Sequence, residues 1–148
     1  MHMKQHNGEW TDPETAAFSG IPDHSDCYAF FSHDGRTLFF TSRRPLSDDE
    51  ESKEESDIYI SFKGKENEWL EPVNMGDKIN SSFHEVAPYV SPDGQYLFFC
   101  SFRPNFPPCG ENRLTFKEIQ KLLDGPGNGR GDIYWVSAKI IEDLRPKE

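Results

Sequence analysis

The stretch SPDGQYLFFCSFRP at residues 91–104 decides the fold, because SHDGRTLFFTSRRP at residues 32–45 gives nearly the same sequence 59 positions earlier. The same offset relates the W-x-x-P segment at residues 10–13 to the W-x-x-P segment at residues 69–72. Self-similarity at a fixed spacing of this size is typical of proteins built from repeated structural units. The sequence therefore predicts two copies of one unit.

Each copy is predicted to form four short antiparallel strands. The Asp-Gly pairs at residues 34–35 and 93–94 predict tight hairpin turns, because glycine accepts the positive φ that such turns need. The predicted strands lie at residues 27–31, 37–42, 57–62 and 69–72 in the first copy, and at residues 86–90, 96–101 and 132–137 in the second. Pro72 restricts the W-x-x-P strand to a sheet edge. The tail at residues 138–148 fits either a short strand or a helical turn.

The second copy also carries an insertion. The D-I-Y triplet at residues 57–59 recurs at residues 132–134, an offset of 75 rather than 59. Within the insertion, Thr115 and Glu118 form the capping-box pattern of a helix start, which predicts a helix over residues 116–123. We expect the apolar side of this helix to close as a lid over its own sheet. A surface that docks a partner is the alternative.

At these residues the sequence resembles the TolB-type, WD-repeat-like β-propeller family, whose repeat runs W-x-x-P, then E-x-x-P-x-x-S-P-D-G-x-x-L-F-F-x-S-x-R, then D-I-Y. The second copy fits this pattern, whereas the first has Asp26, Ala29 and His33 in place of the glutamate and two prolines. Four antiparallel strands that recur at roughly 40 to 60 residues are typical of propeller blades. The resemblance implies an all-β fold of two four-stranded antiparallel blades, a partial β-propeller, with one short helix inserted in the second blade.

The expected organisation is a single partial-propeller domain over residues 1–148. The first blade spans about residues 26–73, the second about residues 85–148, and an N-terminal strand at about residues 9–14 completes another blade. Two blades cannot close a ring, and an open pair leaves sheet faces and strand edges uncovered. We therefore expect either a fragment of a larger propeller or a chain that self-associates, as a dimer of four blades or a trimer of six.

Composition narrows the range of partners. The chain has 26 acidic and 16 basic side chains, a formal charge of -10, which argues against nucleic acid because phosphate binding depends on Lys and Arg. It has no apolar run long enough to span a membrane and no signal peptide at its start. We expect a soluble protein, cytoplasmic unless a signal has been removed, in which case it is periplasmic or extracellular.

No metal or cofactor is predicted. Cys27, Cys100 and Cys109 lack metal-ligand spacing, and the two that fall in strands are expected to act as small buried apolar residues. The loop at residues 47–56 has six carboxylates in ten positions. We interpret it as a solvated acidic loop, with a cation site as the alternative, because it lacks the glycine and spacing of a calcium loop.

Two acid and arginine pairs mark the candidate site. Counting across each hairpin places Asp26 near Arg44 and Glu85 near Arg103, at the same end of the first two strands. A structural role in cross-strand pairing is the first interpretation. The alternative is a polar ligand site beside the variable loops, with Ser81 nearby. The ligand-binding candidates are His24, Asp26, Arg44, Asn80, His84, Glu85 and Arg103.

Catalytic signatures are incomplete. His84-Glu85 begins an H-E-x-x-H zinc motif, but Pro88 occupies the second histidine position. There is no G-x-S-x-G nucleophile motif. We therefore expect a non-catalytic binding or scaffolding module that recognises a protein or peptide partner through its variable rim. A carbohydrate-active or glycan-binding propeller is the alternative.

Overall fold

The computed structural model describes residues 3, 5–16, 18–19, 25–45, 54–106 and 114–147. A small hairpin comes first, with β1 at Gln5–His6 and β2 at Glu9–Trp10. The first sheet contains β3 at Asp26–Phe31, β4 at Thr37–Ser42, β5 at Asp57–Phe62 and β6 at Val73–Asn74. The second sheet contains β7 at Glu85–Val90, β8 at Tyr96–Ser101 and β9 at Asp132–Ser137. The helices are α1 at Phe116–Asp124 and α2 at Lys139–Leu144.

The predicted all-β class is confirmed. Every strand pair is antiparallel, and sequential strands are neighbours in the orders β3-β4-β5-β6 and β7-β8-β9. Among the described residues the second sheet has three strands, so the prediction of four in that copy is wrong there. The chain after β9 forms α2, and its Ile140, Ile141 and Leu144 pack against the core. Of the two structures that the tail sequence fits, the helical turn is the one formed.

Both Asp-Gly turns form the predicted hairpins in the same way. Ser32 Oγ donates to Asp34 Oδ1 at 2.6 Å, and Asp34 Oδ1 also accepts from Arg36 N at 2.9 Å. In the second copy Ser91 and Asp93 repeat these contacts, and Asp93 accepts from the backbone N of Gln95 at 3.0 Å. The glycines that follow the two aspartates have φ of 66° and 69°. Serine, aspartate and glycine together therefore define the turn.

A bulge in the first strand of each sheet extends the repeat to backbone detail. The β3–β4 register shifts between Cys27 and Phe30, and the β7–β8 register shifts between Val86 and Tyr89. Tyr28 and Ala87, which are 59 positions apart, have φ of 50° and 54°. A positive φ is uncommon for residues with a Cβ, so the pairing on both sides of the bulge holds this conformation.

The main core lies between the two sheets. Phe39, Ile58 and Ile60 extend from the first sheet into one cluster with Leu97 and Phe99 of the second. We call this side of the first sheet its inner face, and the opposite side its outer face. On the outer face, a second cluster joins the side chains of Phe18, Leu38, Phe40 and Tyr59. All six residues of β4 and of β5 are buried as a result.

Two predicted strands are displaced. Trp69 forms only an isolated bridge to Lys63, and the fourth strand of the first sheet begins after Pro72, at Val73–Asn74. Leu70 N also donates to the carbonyl oxygen of Phe62 at 2.9 Å, and Pro72, which has no N–H to donate, interrupts the pairing before Val73. At the N-terminus, the strand expected at residues 9–14 is limited to β2, which pairs with β1.

The inserted helix forms as predicted but is not a lid. Thr115 Oγ1 accepts from the backbone N of Glu118 at 3.4 Å, the Glu118 carboxylate accepts from Thr115 N at 2.8 Å, and Gly125 caps the other end. No residue of α1 is buried, and Phe116 is 81% exposed. A lid would bury the apolar side of this helix, whereas here that side faces solvent. None of the described helices has the length and apolar character that crossing a membrane requires.

Candidate functional site

The first predicted acid and arginine pair is part of a network at one end of the first sheet. Arg44 Nη2 donates to both carboxylate oxygens of Asp26, at 3.0 and 3.1 Å. Arg44 Nε donates to Ser42 Oγ at 3.2 Å. The guanidinium carbon lies 4.9 Å from the ring centre of Phe40 and 5.3 Å from that of Tyr59. Charge pairing and stacking on the rings hold the guanidinium in one orientation.

The second copy repeats this network residue by residue. Arg103 Nη2 donates to Glu85 Oε1 at 3.1 Å, and Nε donates to Ser101 Oγ at 2.8 Å. The guanidinium carbon lies 5.7 Å from the ring centre of Phe99 and 5.2 Å from that of Tyr134. The two predicted pairs, Asp26 with Arg44 and Glu85 with Arg103, are therefore both present.

Each arginine also binds the chain segment that leads into its sheet. Arg44 Nη2 donates to the carbonyl oxygen of Phe18 at 3.4 Å, and Arg103 Nη2 donates to the carbonyl oxygen of Ile79. Both Phe18 and Ile79 are buried, the first against the outer face and the second in the main core. The two networks thus attach an entry segment to each sheet, which is a structural function.

Glu85 is the more deeply buried of the two acids. Its side chain has no solvent exposure, while that of Asp26 keeps 16%. Besides Arg103, the Glu85 carboxylate accepts from Ser81 N and Ser81 Oγ, both at 2.7 Å, and from Ser101 Oγ at 2.6 Å. These hydrogen bonds replace the water that a buried carboxylate loses.

The other described candidates also have protein partners. Asn80 Oδ1 accepts from the backbone N of Ile58 at 2.8 Å, and its Nδ2 donates to the Ile58 carbonyl at 2.9 Å. The amide therefore acts as a strand partner for one residue of β5, which the sequence pattern did not indicate. His84 Nδ1 accepts from the backbone N of Ser56 at 3.0 Å. His24 lies outside the described residues.

Neither the described cysteines nor the described part of the acidic loop belongs to a group that could hold a metal ion. Cys27 is exposed, so the expectation that it is buried is wrong, and Cys100 is half-buried. Partial desolvation raises the pKa of both thiols, which lowers their thiolate fraction at neutral pH. Of the acidic loop, residues 47–53 lie outside the described residues. In the described part of the chain, no three His, Cys, Asp or Glu side chains form a group that could hold a metal ion.

A cleft that the sequence did not indicate lies at the hairpin end of the molecule. Its volume is about 620 Å³, and the two Asp-Gly hairpins and α2 enclose it. Phe30 and Tyr89 line it with ring centres 5.0 Å apart. Asp34 and Arg145 also line the cleft, and Arg145 donates to Glu142 at 3.1 and 3.2 Å. The cleft depends on how the sheets and α2 pack, which a repeat pattern does not specify.

The most unusual surface is one side of the second sheet. We call it the open face, and it consists of Tyr96, Phe98, Ile133 and Trp135, which the β8–β9 register places on one side of the sheet. Ile133 is 79% exposed and Trp135 is 61% exposed. The ring of Tyr96 meets that of Trp135 edge to face at 5.2 Å. An apolar patch of adjacent large side chains is rare on a surface that only water covers.

The repeat shows what these positions do when they are covered. In the first sheet Ile58 and Ile60 correspond to Ile133 and Trp135, and both are completely buried. Thr37 corresponds to Tyr96, and it is also buried. The same positions of the repeat therefore form a packed interface in one copy and an open surface in the other.

No protein-family model, curated protein or solved structure shows a significant match to this chain. The resemblance to TolB-type propellers remains a prediction, and the proposals below are based on the geometry of the described residues.

Proposed function

We propose that this protein is a non-catalytic binding or scaffolding module whose interaction surface is the open face. The observation that supports this most strongly is the matched exposure: Ile133 and Trp135 are exposed where Ile58 and Ile60 are buried. Covering two such side chains with another apolar surface contributes roughly 1.5–3 kcal/mol each. The open face can therefore contribute several kcal/mol to binding.

The chemistry of the open face suits a protein partner. Its four side chains lie on adjacent strands of one sheet, so they form a broad surface rather than a deep pocket. Tryptophan and tyrosine are the residues most enriched at the centres of protein interfaces. The variable loops that the sequence analysis favoured for recognition contain residues 46–53 and 107–113, outside the described residues. The proposal therefore depends on the sheet face.

Site-specific photo-crosslinking tests this proposal. A photoreactive phenylalanine analogue at position 133 is expected to give protein adducts of defined mass in cells that express the chain. The same analogue at Glu66, an exposed turn position away from the open face, is the matched control. Adducts at position 133 that are no more abundant than those at position 66 would contradict the proposal.

The hairpin-end cleft favours a second candidate function, the binding of a saccharide or another small polar ligand. Aromatic walls with a few charged groups are typical of small-ligand sites, and here Tyr89, Asp34 and Arg145 provide them. A thermal-shift screen with sugars, peptides and divalent ions tests this, because ligands that bind the native state raise its stability.

The repeat supplies a matched control for that screen. Asp34→Asn changes a residue that lines the cleft, whereas Asp93→Asn changes the same turn position in the other copy, which does not line it. Stabilisation by a saccharide that Asp34→Asn abolishes and Asp93→Asn preserves would support this candidate. Equal responses in both variants, or no stabilisation by any saccharide, would exclude it.

A further inference from the structure

We propose that the open face of one molecule packs on the outer face of the first sheet of a second molecule, so that copies of this chain assemble head to tail. This inference rests on the proposed function and names its partner. It also defines the interface: two different surfaces meet, one from each end of the molecule.

The chain already makes this contact once, within itself. The inner face of the first sheet, with Phe39 and Ile60, packs against Leu97 and Phe99 of the second sheet. Through the repeat, the inner face corresponds to the open face, with Ile60 in the position of Trp135. The molecule therefore shows which type of surface covers an open face.

The surface that would cover an open face is present on the first sheet. Leu38 and Phe40 of the outer face occupy the repeat positions of Leu97 and Phe99. Leu97 and Phe99 are among the side chains that cover the inner face within the molecule. One chain therefore carries an open face at one end and its matching surface at the other.

The outer face is not fully packed. Phe31 is 46% exposed, whereas Val90, at the same repeat position, packs against the core. A cavity of about 100 Å³, lined by Phe18, Leu38 and Phe40 among others, also lies on this side of the first sheet. This side of the molecule therefore has unused apolar surface to offer a neighbour.

The segment that carries Phe18 does not prevent this contact. Phe18 stacks on Phe40 with ring centres 5.4 Å apart, and its carbonyl accepts from Arg44. Ile79 has the equivalent place in the second copy, where its carbonyl accepts from Arg103 and its side chain lies in the core between the two sheets. An entry segment of this kind is thus compatible with a sheet packed over it.

Two unlike surfaces give a heterologous interface, which continues from molecule to molecule until a ring closes. A dimer in which two open faces meet each other is the isologous alternative, and it would bury the same exposed side chains. The two arrangements differ in the outer face, which only the head-to-tail assembly uses. The decisive experiment therefore changes each face separately.

The experiment measures solution mass by sedimentation for three proteins: the unchanged chain, an open-face double variant Ile133→Ser/Trp135→Ser, and an outer-face variant Phe31→Asp. All three positions are exposed, and circular dichroism checks that the variants fold. The unchanged chain is expected to have the mass of two or more chains of 17.1 kDa each, and each variant alone is expected to be a monomer.

Mixing the two variants gives the sharpest result. Phe31→Asp has an intact open face, and Ile133→Ser/Trp135→Ser has an intact outer face. These two intact faces can meet, so the mixture is expected to form a dimer of one chain of each variant. An isologous dimer would instead survive in Phe31→Asp alone, and the mixture would contain no dimer of one chain of each variant, which would overturn the inference. Should Phe31→Asp not fold, Phe31→Thr takes its place in the same experiment.

Failure of this inference is distinguishable from failure of the proposed function. An unchanged chain that is monomeric at all concentrations overturns head-to-tail assembly. The proposed function survives that result if photo-crosslinking from position 133 captures a different protein. If crosslinking from that position gives no specific adduct, the proposed function fails as well. For head-to-tail assembly, the adduct must contain only this chain and map to residues 25–45.

Discussion

The two sheets have nearly the same sequence at their centres but very different surroundings. In the first sheet, β4 and β5 are buried along their full length because apolar clusters cover both faces. In the second sheet, β9 alternates between half-buried and exposed residues because the described part of the chain covers only one face of it. The L-F-F segment and its hairpin specify a sheet, while the neighbours of that sheet determine which of its side chains are buried.

The largest expected difference in stability between matched variants of the two copies concerns the first phenylalanine of the L-F-F segment. Phe39→Ala removes a fully buried ring and is expected to lower the free energy of unfolding by about 3–5 kcal/mol. Phe98→Ala changes the matched, half-buried ring and is expected to lower it by about 1 kcal/mol. Urea denaturation at low protein concentration measures both. Equal losses would show that the two sheets are covered alike.

The second comparison is between the two acids that pair with arginine. Glu85→Gln keeps the shape of the side chain but leaves Arg103 without its charge partner, and about 2 kcal/mol of stability is expected to be lost. Asp26→Asn makes the same change in the copy whose acid is partly exposed, where the loss is expected to be below about 1 kcal/mol. The same denaturation curves give both values, and a larger loss for Asp26→Asn would reverse our ranking of the two networks.

Hydrogen exchange compares the local stability of β5 and β9, the third strands of the two sheets. The amides of β5 are expected to exchange at least about tenfold more slowly than those of β9 in the monomer, a difference of about 1.4 kcal/mol. The reason is that β5 lies between β4 and β6, whereas β9 pairs with β8 alone among the described strands. Exchange of both strands at one rate would indicate that they open together.

The sequence predicted the features that depend on local chemistry. Residue type predicts the Asp-Gly hairpins and the capping box at Thr115. Counting across the strands predicts that each acid pairs with its own arginine. The tail at residues 138–148 fits either of two structures by sequence, because its pattern is too short to show a period. The propeller arrangement stays a prediction.

Features that depend on tertiary packing were missed. The bulges at Tyr28 and Ala87 contain no glycine at the positive φ, so no turn residue marks them. The role of Asn80 depends on its distance from a strand 22 positions away in the chain. The contrast between Ile58 and Ile133 is invisible in a repeat pattern, because the pattern treats the two positions as equivalent.

The last prediction concerns the feature in which the copies are most alike. Hydrogen bonds from Ser32 Oγ and from Arg36 N lower the pKa of Asp34, and those from Ser91 Oγ and Gln95 N lower the pKa of Asp93. Because each aspartate is bound as the anion, its contribution to stability is present above its unfolded pKa, near 3.9. That contribution is lost as the pH falls through the lowered folded value. For Asp34 the effect is expected to stay below about 1 kcal/mol because the side chain is exposed.

Added salt is expected to affect the pKa values of the two turn aspartates differently. The charges of Arg145 and Arg36 contribute to the lowering of the pKa of Asp34, whereas hydrogen bonds account for the lowering of the pKa of Asp93. Added salt screens the charges but not the hydrogen bonds, so it is expected to raise the pKa of Asp34 and leave that of Asp93 nearly unchanged. Carboxyl resonances followed by NMR titration at two salt concentrations measure both values. Arg145→Gln serves as the control, because it is expected to reduce the salt response of Asp34 alone. Equal salt responses at the two aspartates would mean that Arg145 does not act on Asp34 across the cleft.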